Sequence, residues 1–203
     1  MQEKWRVGIV GLGVRGAHFA EVYSRIPGVA VVAGADPDIQ RREFIRREYG
    51  CDVFEAADRM LNEVDFDIFV VATHLPLHAR YVSMGLHTGR HVICEKPMAS
   101  SLRECDLIIL TAQNNDRTLA VHHQSTLSRA TAEAIRLIRA GEIGNLVSMA
   151  AYGKGRIGCS DLAEIGGHLT DWMRKVSLAV GGGEVVDVFG RVTYKGGLIE
   201  RND

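Results

Sequence analysis

Cysteine is scarce in this chain, long hydrophobic runs are missing and neither sign of charge dominates. Each of these absences excludes a class of protein. The four cysteines (Cys51, Cys94, Cys105 and Cys159) show no C-x-x-C spacing. Buried or idle thiols in a reducing compartment are expected, and no metal is assigned. Lys plus Arg (24) nearly balance Asp plus Glu (25), so no global field draws the chain to nucleic acid or to an anionic membrane. No apolar run approaches the ~18 residues of a spanning helix, and Glu3, Lys4 and Arg6 precede the first apolar run, which has only strand length. A cytoplasmic protein is expected. No segment repeats and none is of low complexity. With 46% hydrophobic residues in 203, the chain can bury the core of one large domain or of one and a half ordinary ones.

What is present centres on Val7-Gly8-Ile9-Val10-Gly11-Leu12-Gly13-Val14-Arg15-Gly16. A Val- and Ile-rich strand leads into glycines at G-x-G-x-x-G spacing. A helical pattern follows, with Phe19, Val22, Tyr23 and Ile26 at i, i+3, i+4 and i+7. Gly11 permits the tight turn, Gly13 the approach of a phosphate and Gly16 close helix-sheet packing, with a diphosphate at the helix N-terminus beside Val14 and Arg15. About twenty residues on, the apolar run at 29–35 ends in Asp36, whose carboxylate is placed to accept hydrogen bonds from an adenosine ribose. Arg41-Arg42 and Arg46-Arg47 read first as a solvated helix face and second as a phosphate site.

Taken in order, the chain alternates strands and helices. Strands are expected at 5–10, 29–35, 51–54, 67–72, 91–94 and 119–122, and helices at 14–26, 36–49 and 56–63. Another helix carries Ala79, Val82 and Leu86, and a further one is opened by a Ser101-x-x-Glu104 capping box and carries Cys105, Ile108, Ile109 and Ala112. Repeated strand-helix units imply right-handed crossovers and an α/β fold with a doubly wound parallel sheet, closing one domain over 1–123. Over 124–203 the regular alternation stops. A helix carrying Ala130, Ala134, Ile135 and Ile138 is expected, then a strand at 146–152, a loop with Gly153, Gly155 and Gly158, a helix at 161–180 and a strand at 184–194. Together these make the start of a second α/β, or α+β, open-sheet domain that looks incomplete.

Glu95-Lys96-Pro97 directly follows a buried strand, at the carboxyl edge where open α/β sheets bind ligands. Composition alone produces three glycines at fixed spacing roughly 0.25 times in such a chain but this tripeptide roughly 0.006 times, so the tripeptide is the more specific signal. The glycine turn, Asp36 and E-K-P together resemble the glucose-fructose oxidoreductase / inositol dehydrogenase / MocA family of NAD(P)-dependent oxidoreductases. Gly141-Glu142-Ile143-Gly144 and Glu164-x-Gly166-x-His168-x-x-Asp171 extend the resemblance along the whole chain.

The resemblance implies a Rossmann domain, a second domain whose sheet carries substrate and often joins subunits, and hydride transfer between nicotinamide and the hydroxyl of a sugar, polyol or cyclitol. NAD is the expected cofactor, ahead of NADP. The residue types fit that chemistry. Histidine (His168) supplies a base with a pKa near neutrality, and the Lys96 ammonium stabilises a developing alkoxide. Glu164, four residues before His168, shares its helix face and can orient the imidazole. Gly11, Gly13, Val14, Arg15, Gly16, Asp36, Thr73, His74, His78, Glu95 and Lys96 are the expected cofactor residues. Lys96, Gln124, Glu164 and His168 are the expected substrate residues.

Departures from the family pattern qualify this. Glu164 stands where most relatives have Asp. Thr73-His74-Leu75-Pro76-Leu77-His78 replaces T-P-N-x-x-H, so the Asn near the nicotinamide is missing and His78 is either a ligand or a helix cap. Gln124 is followed by Ser125 rather than by a basic residue. His122 and His123 point to opposite sides of a strand, against a paired metal site. Three functions stand open: a net dehydrogenase, a redox-neutral enzyme that oxidises and re-reduces a sugar during glycoside cleavage, and a non-catalytic nucleotide-binding protein. Because relatives commonly exceed about 300 residues, the chain is expected either to be part of a longer enzyme or to form a homo-oligomer through its second-domain sheet.

Overall fold

The computed structural model describes residues 5–152, 166–183 and 185–187. Six strands, β1 (Trp5–Val10), β2 (Val29–Ala35), β3 (Asp52–Phe54), β4 (Ile68–Val71), β5 (His91–Glu95) and β6 (Leu119–His122), form one sheet in the order β3-β2-β1-β4-β5-β6. Every pairing is parallel. Helices α1 (Val14–Ser24), α2 (Ile39–Tyr49), α3 (Ala57–Glu63), α4 (His78–His87) and α5 (Leu102–Asn114) make the crossovers. This is the Rossmann strand order, whose direction of winding reverses between β1 and β4.

Consecutive strand residues face opposite sides, which is why the strands read as unbroken apolar runs. Phe69 and Val71 of β4 join Val10, Leu86 and Ile108 in the core on one face, while Val70 joins Val7, Ile9, Phe19 and Ile45 on the other. Fully burying each such side chain contributes about 1.5–3 kcal/mol.

The helices stop and start where their chemistry dictates. Asp38 caps α2 by accepting from the Gln40 amide at 2.8 Å, and Gly50 ends it in the left-handed region at φ 66°. Ser101 caps α5, but the Glu104 carboxylate reaches back to the amide of Ser100 rather than of Ser101. Two expected stripes are rotated. Helix α1 buries Gly16, Phe19 and Ala20 and leaves Val22 exposed, because Gly16 brings the helix onto the sheet along its own face, and it ends at Ser24, before the exposed Ile26. On α5, Ile108 and Ala112 are buried while Ile109 is exposed.

Beyond β6, a 3-10 turn (Gln124–Leu127) leads to α6 (Arg129–Arg139), and α7 (Gly167–Ala179) packs against both. Lys175 Nζ donates to the Thr126 carbonyl at 2.6 Å, Trp172 Nε1 to Thr131 Oγ1 at 3.0 Å and Arg139 Nε to the Ala179 carbonyl at 2.6 Å. The strand expected at 146–152 does not form. These residues are irregular, with Val147 and Tyr152 each 92% exposed. Apolar composition favours a strand only when another strand satisfies its amides, and none pairs here among the described residues. Of the strand expected at 184–194, residues 185–187 are not strand and the others lie outside the described residues, as do Gly153, Gly155, Gly158 and the first turn of the helix expected at 161–180.

Among the described residues, no helix is long and apolar enough to cross a membrane. No group of three His, Cys, Asp or Glu there is arranged to hold a metal ion. Burial pushes the thiols of Cys51 up to about 11 and of Cys94 up to about 12, which leaves both protonated and unreactive at neutral pH.

Candidate functional site

The carboxyl ends of β1, β2 and β4 open into a cavity of about 440 Å³, lined among others by Gly11, Gly13, Val14, Arg15, Asp36 and Thr73. Its floor depends on two glycines. Gly11 sits at φ 85°, and a Cβ there would come within 2.6 Å of the Ala72 carbonyl oxygen. A Cβ at Gly16 would lie 1.8 Å from the Gly11 oxygen. Gly13 caps α1 with no side-chain acceptor, so the first-turn amides of that helix are presented to an anion. These features fit the diphosphate of a dinucleotide.

Asp36 ends β2 and is buried. One carboxylate oxygen accepts from the Leu12 amide at 2.8 Å and the other from the Asp38 amide at 2.9 Å, which aims the group at the cavity wall. Arg41 Nη1 stands 3.5 Å from Asp36, and Arg42 Nη1 donates to the Asp36 carbonyl at 2.7 Å. Arg41 of α2 therefore lines the cavity beside Asp36, while Arg42 holds the backbone of the turn after β2. Thr73 and His74, from the loop after β4, also line the cavity.

A second group of polar side chains gathers past β5 and β6. Glu95 is buried, with Oε1 3.0 Å from His122 Nδ1 and Oε2 accepting from the Lys96 amide at 3.1 Å. The His122 ring meets Phe19 edge-on at 4.9 Å. On the other side of the strand end, the His123 ring lies edge-on to His168 at 6.0 Å, and its Nδ1 is 3.7 Å from Asp171 Oδ2. Ser125 Oγ is 3.4 Å from His168 Nδ1. Desolvation holds the His168 imidazole below its ordinary range. The charges of Lys96, His123 and Arg15 push the same way, and Glu95 opposes them. Burial and the neighbouring cations thus both disfavour the imidazolium.

Lys96 and His168, far apart in sequence, are thus electrostatic neighbours. Gly11, Gly13, Val14, Arg15, Asp36, Thr73 and His74 line one cavity. Gly16 lies beneath it as a packing residue. Glu95 turns to His122, and His78 is buried with both ring nitrogens against backbone carbonyls, Pro97 at 2.7 Å and Thr73 at 3.1 Å. Gln124 keeps a buried Oε1 without a hydrogen bond among the described residues. Glu164 lies outside the described residues. Sequence reading missed Ser125 and the two histidines as neighbours of the site. The signal was available, since adjacent residues at the carboxyl end of β6 must face opposite sides, one toward β5 and one toward whatever packs beyond.

The family model described as an oxidoreductase family with an NAD-binding Rossmann fold, GFO_IDH_MocA, matches residues 5–123. A glycosyl hydrolase family 109 protein 2 of Shewanella sp. (strain ANA-3) is 32% identical over 158 residues, covering 72% of this chain and 35% of the relative. Inositol 2-dehydrogenase 4 of Saccharopolyspora erythraea is 31% identical over 150 residues, covering 71% of this chain and 44% of the relative. The scyllo-inositol dehydrogenase from Lactobacillus casei, solved with NAD(H) and scyllo-inositol, superposes with a TM-score of 0.67 at 22% identity over 70% of this chain and 43% of its own. The chain spans about two-fifths of the length of such curated relatives.

Proposed function

The chain belongs to the GFO_IDH_MocA oxidoreductase family, with its NAD-binding Rossmann fold, and from that membership we propose that it serves hydride transfer between NAD and a hydroxyl-bearing carbon of a sugar, polyol or cyclitol. The observation that carries this reading is the grouping of His168 with Ser125 and His123 beyond β6, with the Lys96 charge acting on its imidazole. Bound NAD supplies the hydride acceptor. Nδ1 of His168 is turned to Ser125, which leaves Nε2 for the substrate hydroxyl. As the C–H bond gives up its hydride, that nitrogen takes the hydroxyl proton and the O–H electron pair becomes the second bond of the carbonyl. Lys96 stabilises the oxygen while its charge develops, and on this reading Glu164 orients the imidazole and Gln124 contacts substrate.

Residues 1–123 then form the cofactor domain and 124–203 the beginning of a substrate domain that also joins subunits in a cytoplasmic enzyme. A second reading is favoured by the relative named a glycosyl hydrolase: the hydride returns to the sugar after bond cleavage, and no reduced cofactor leaves. One experiment separates the readings. The chain is incubated with NAD and a panel of inositols, sugars and glycosides while absorbance of NADH and cleavage products are followed together. NADH accumulating with a cyclitol or sugar supports net oxidation, and cleavage without NADH supports the redox-neutral cycle. NAD binding with neither product on any substrate leaves a nucleotide-binding role.

A further inference from the structure

His78 opens α4 at the point where the chain leaves β4, and it is 2% exposed. Its ring lies between two loops that the sheet topology makes neighbours. Nδ1 is 2.7 Å from the carbonyl of Pro97, which follows β5, and Nε2 is 3.1 Å from the carbonyl of Thr73, which follows β4. A neutral imidazole carries one N–H and serves one of these acceptors, while an imidazolium serves both. The shorter contact marks Pro97 as the acceptor served in either state. Burial holds the ring in place, because the Pro97 carbonyl would lose its donor if the ring left the space between the two loops.

The two loops have specific neighbours. Thr73 lines the cavity, and its amide nitrogen lies 2.9 Å from where a Gly11 Cβ would stand, so the phosphate turn rests directly on it. Pro97 adjoins Lys96. In a sheet of this winding the adenosine half of a dinucleotide lies over β1 and β2, and the nicotinamide half over β4 and β5. The loops that His78 joins are therefore those beneath the nicotinamide half, while Asp36 and α2 serve the other half.

We infer that His78 is a positioning residue: donating to the Pro97 carbonyl while its ring packs against the Thr73 carbonyl, it fixes the Lys96 loop against the nicotinamide half of the cofactor site. The inference rests on the proposed function for the role of Lys96. It differs from a general role in folding because it acts on one half of the ligand only. ADP-ribose, which lacks nicotinamide, is the probe for that difference.

The test is calorimetric binding of NAD and of ADP-ribose to the unaltered chain, to His78→Phe, which fills the space without a donor, and to His78→Asn, whose amide nitrogen stands near the place of Nδ1. His78→Phe is expected to weaken NAD about tenfold relative to ADP-ribose, the equivalent of about 1.4 kcal/mol, and His78→Asn to recover most of that loss. An unchanged ratio in His78→Phe overturns the inference, whether both ligands weaken together or neither does. Should His78→Phe fail to fold, the His78 ring resonances of the 15N-histidine-labelled unaltered chain decide. They shift differently with NAD and with ADP-ribose if the inference holds, and identically if it does not. NAD binding with an unchanged ratio removes only the positioning role, whereas a chain that binds neither ligand overturns both this inference and the proposed function.

Discussion

Of the buried apolar side chains among the described residues, all but Val176 lie in the part of the chain that ends at β6, whereas hydrogen bonds tie α6 and α7 to each other and to the turn after β6. The first region has a core on both faces of its sheet. The second is held within itself by Lys175 on Thr126 and Trp172 on Thr131, each such bond worth a net ~1 kcal/mol. The cavity belongs to the first region, and the candidate base, His168, stands on the second. On the proposed function, cofactor binding and proton transfer therefore fall to parts with unequal apolar cores, and they are open to separation by experiment.

The largest expected effect comes from breaking the chemistry while sparing the cavity. Lys96→Ala and His168→Ala are each expected to lower turnover on the substrate found by the panel by about two to four powers of ten, with calorimetric NAD affinity kept within a few fold. A His168→Ala chain of near-full activity would move the base role to Lys96 or Glu164.

The converse change lies at Asp36. Replacing it with Ala removes the acceptor for the Leu12 and Asp38 amides and, on the proposed function, the partner for the ribose, and it is expected to weaken NAD about tenfold to a hundredfold. On the unaltered chain the same carboxylate, repelling a 2′-phosphate, is expected to make NAD bind more tightly than NADP. The opposite order would assign the adenosine end to Arg41, 3.5 Å away.

The stability difference itself is measurable because the chain has two tryptophans, Trp5 in β1 and Trp172 in α7. In urea, fluorescence of a Trp5→Phe chain, which reports Trp172, is expected to change before that of a Trp172→Phe chain, with apparent stabilities about 1–2 kcal/mol apart. Coincident transitions would mean that the two regions unfold as one.

The smallest effect expected is a shift along the pH axis. Lys96 is among the groups that hold the His168 pKa down, so the imidazole stays neutral, and able to accept a proton, to lower pH than an isolated histidine. Activity should therefore fall on the acid side as His168 protonates. Replacing Lys96 with Met removes a charge that disfavours the imidazolium, so that acid limb is expected to move to higher pH in the residual kcat/KM profile. A limb that stays in place would show that Lys96 does not help to set the His168 pKa.

The Rossmann half was legible because its signals are local. Apolar runs without alternation mark strands covered on both faces, glycines at fixed spacing mark the turn, and Asp36 and Gly50 stand where a strand end and a helix end require them. Strand positions in the sheet matched the expectation to within a residue or two. Helix faces were less legible. The rotation of the α1 stripe follows from Gly16 packing on the Gly11 backbone, a contact that the spacing of apolar residues does not encode. The strand expected at 146–152 failed for a related reason, since strand formation is a property of a pair and not of a segment.

The sequence by itself determined the order of strands and helices, the phosphate-binding turn, the acidic end of β2 and the placing of Lys96 at a sheet edge, because each depends on residues close together in the chain. Only the tertiary structure decided which side chains meet across long separations. It set Glu95 on His122, brought His123 and Ser125 to His168, and turned His78 away from the ligand cavity to span two carbonyls. The reason is physical. Where a buried polar group points depends on which donors and acceptors the folded chain leaves within reach, and that inventory exists only once distant strands lie side by side.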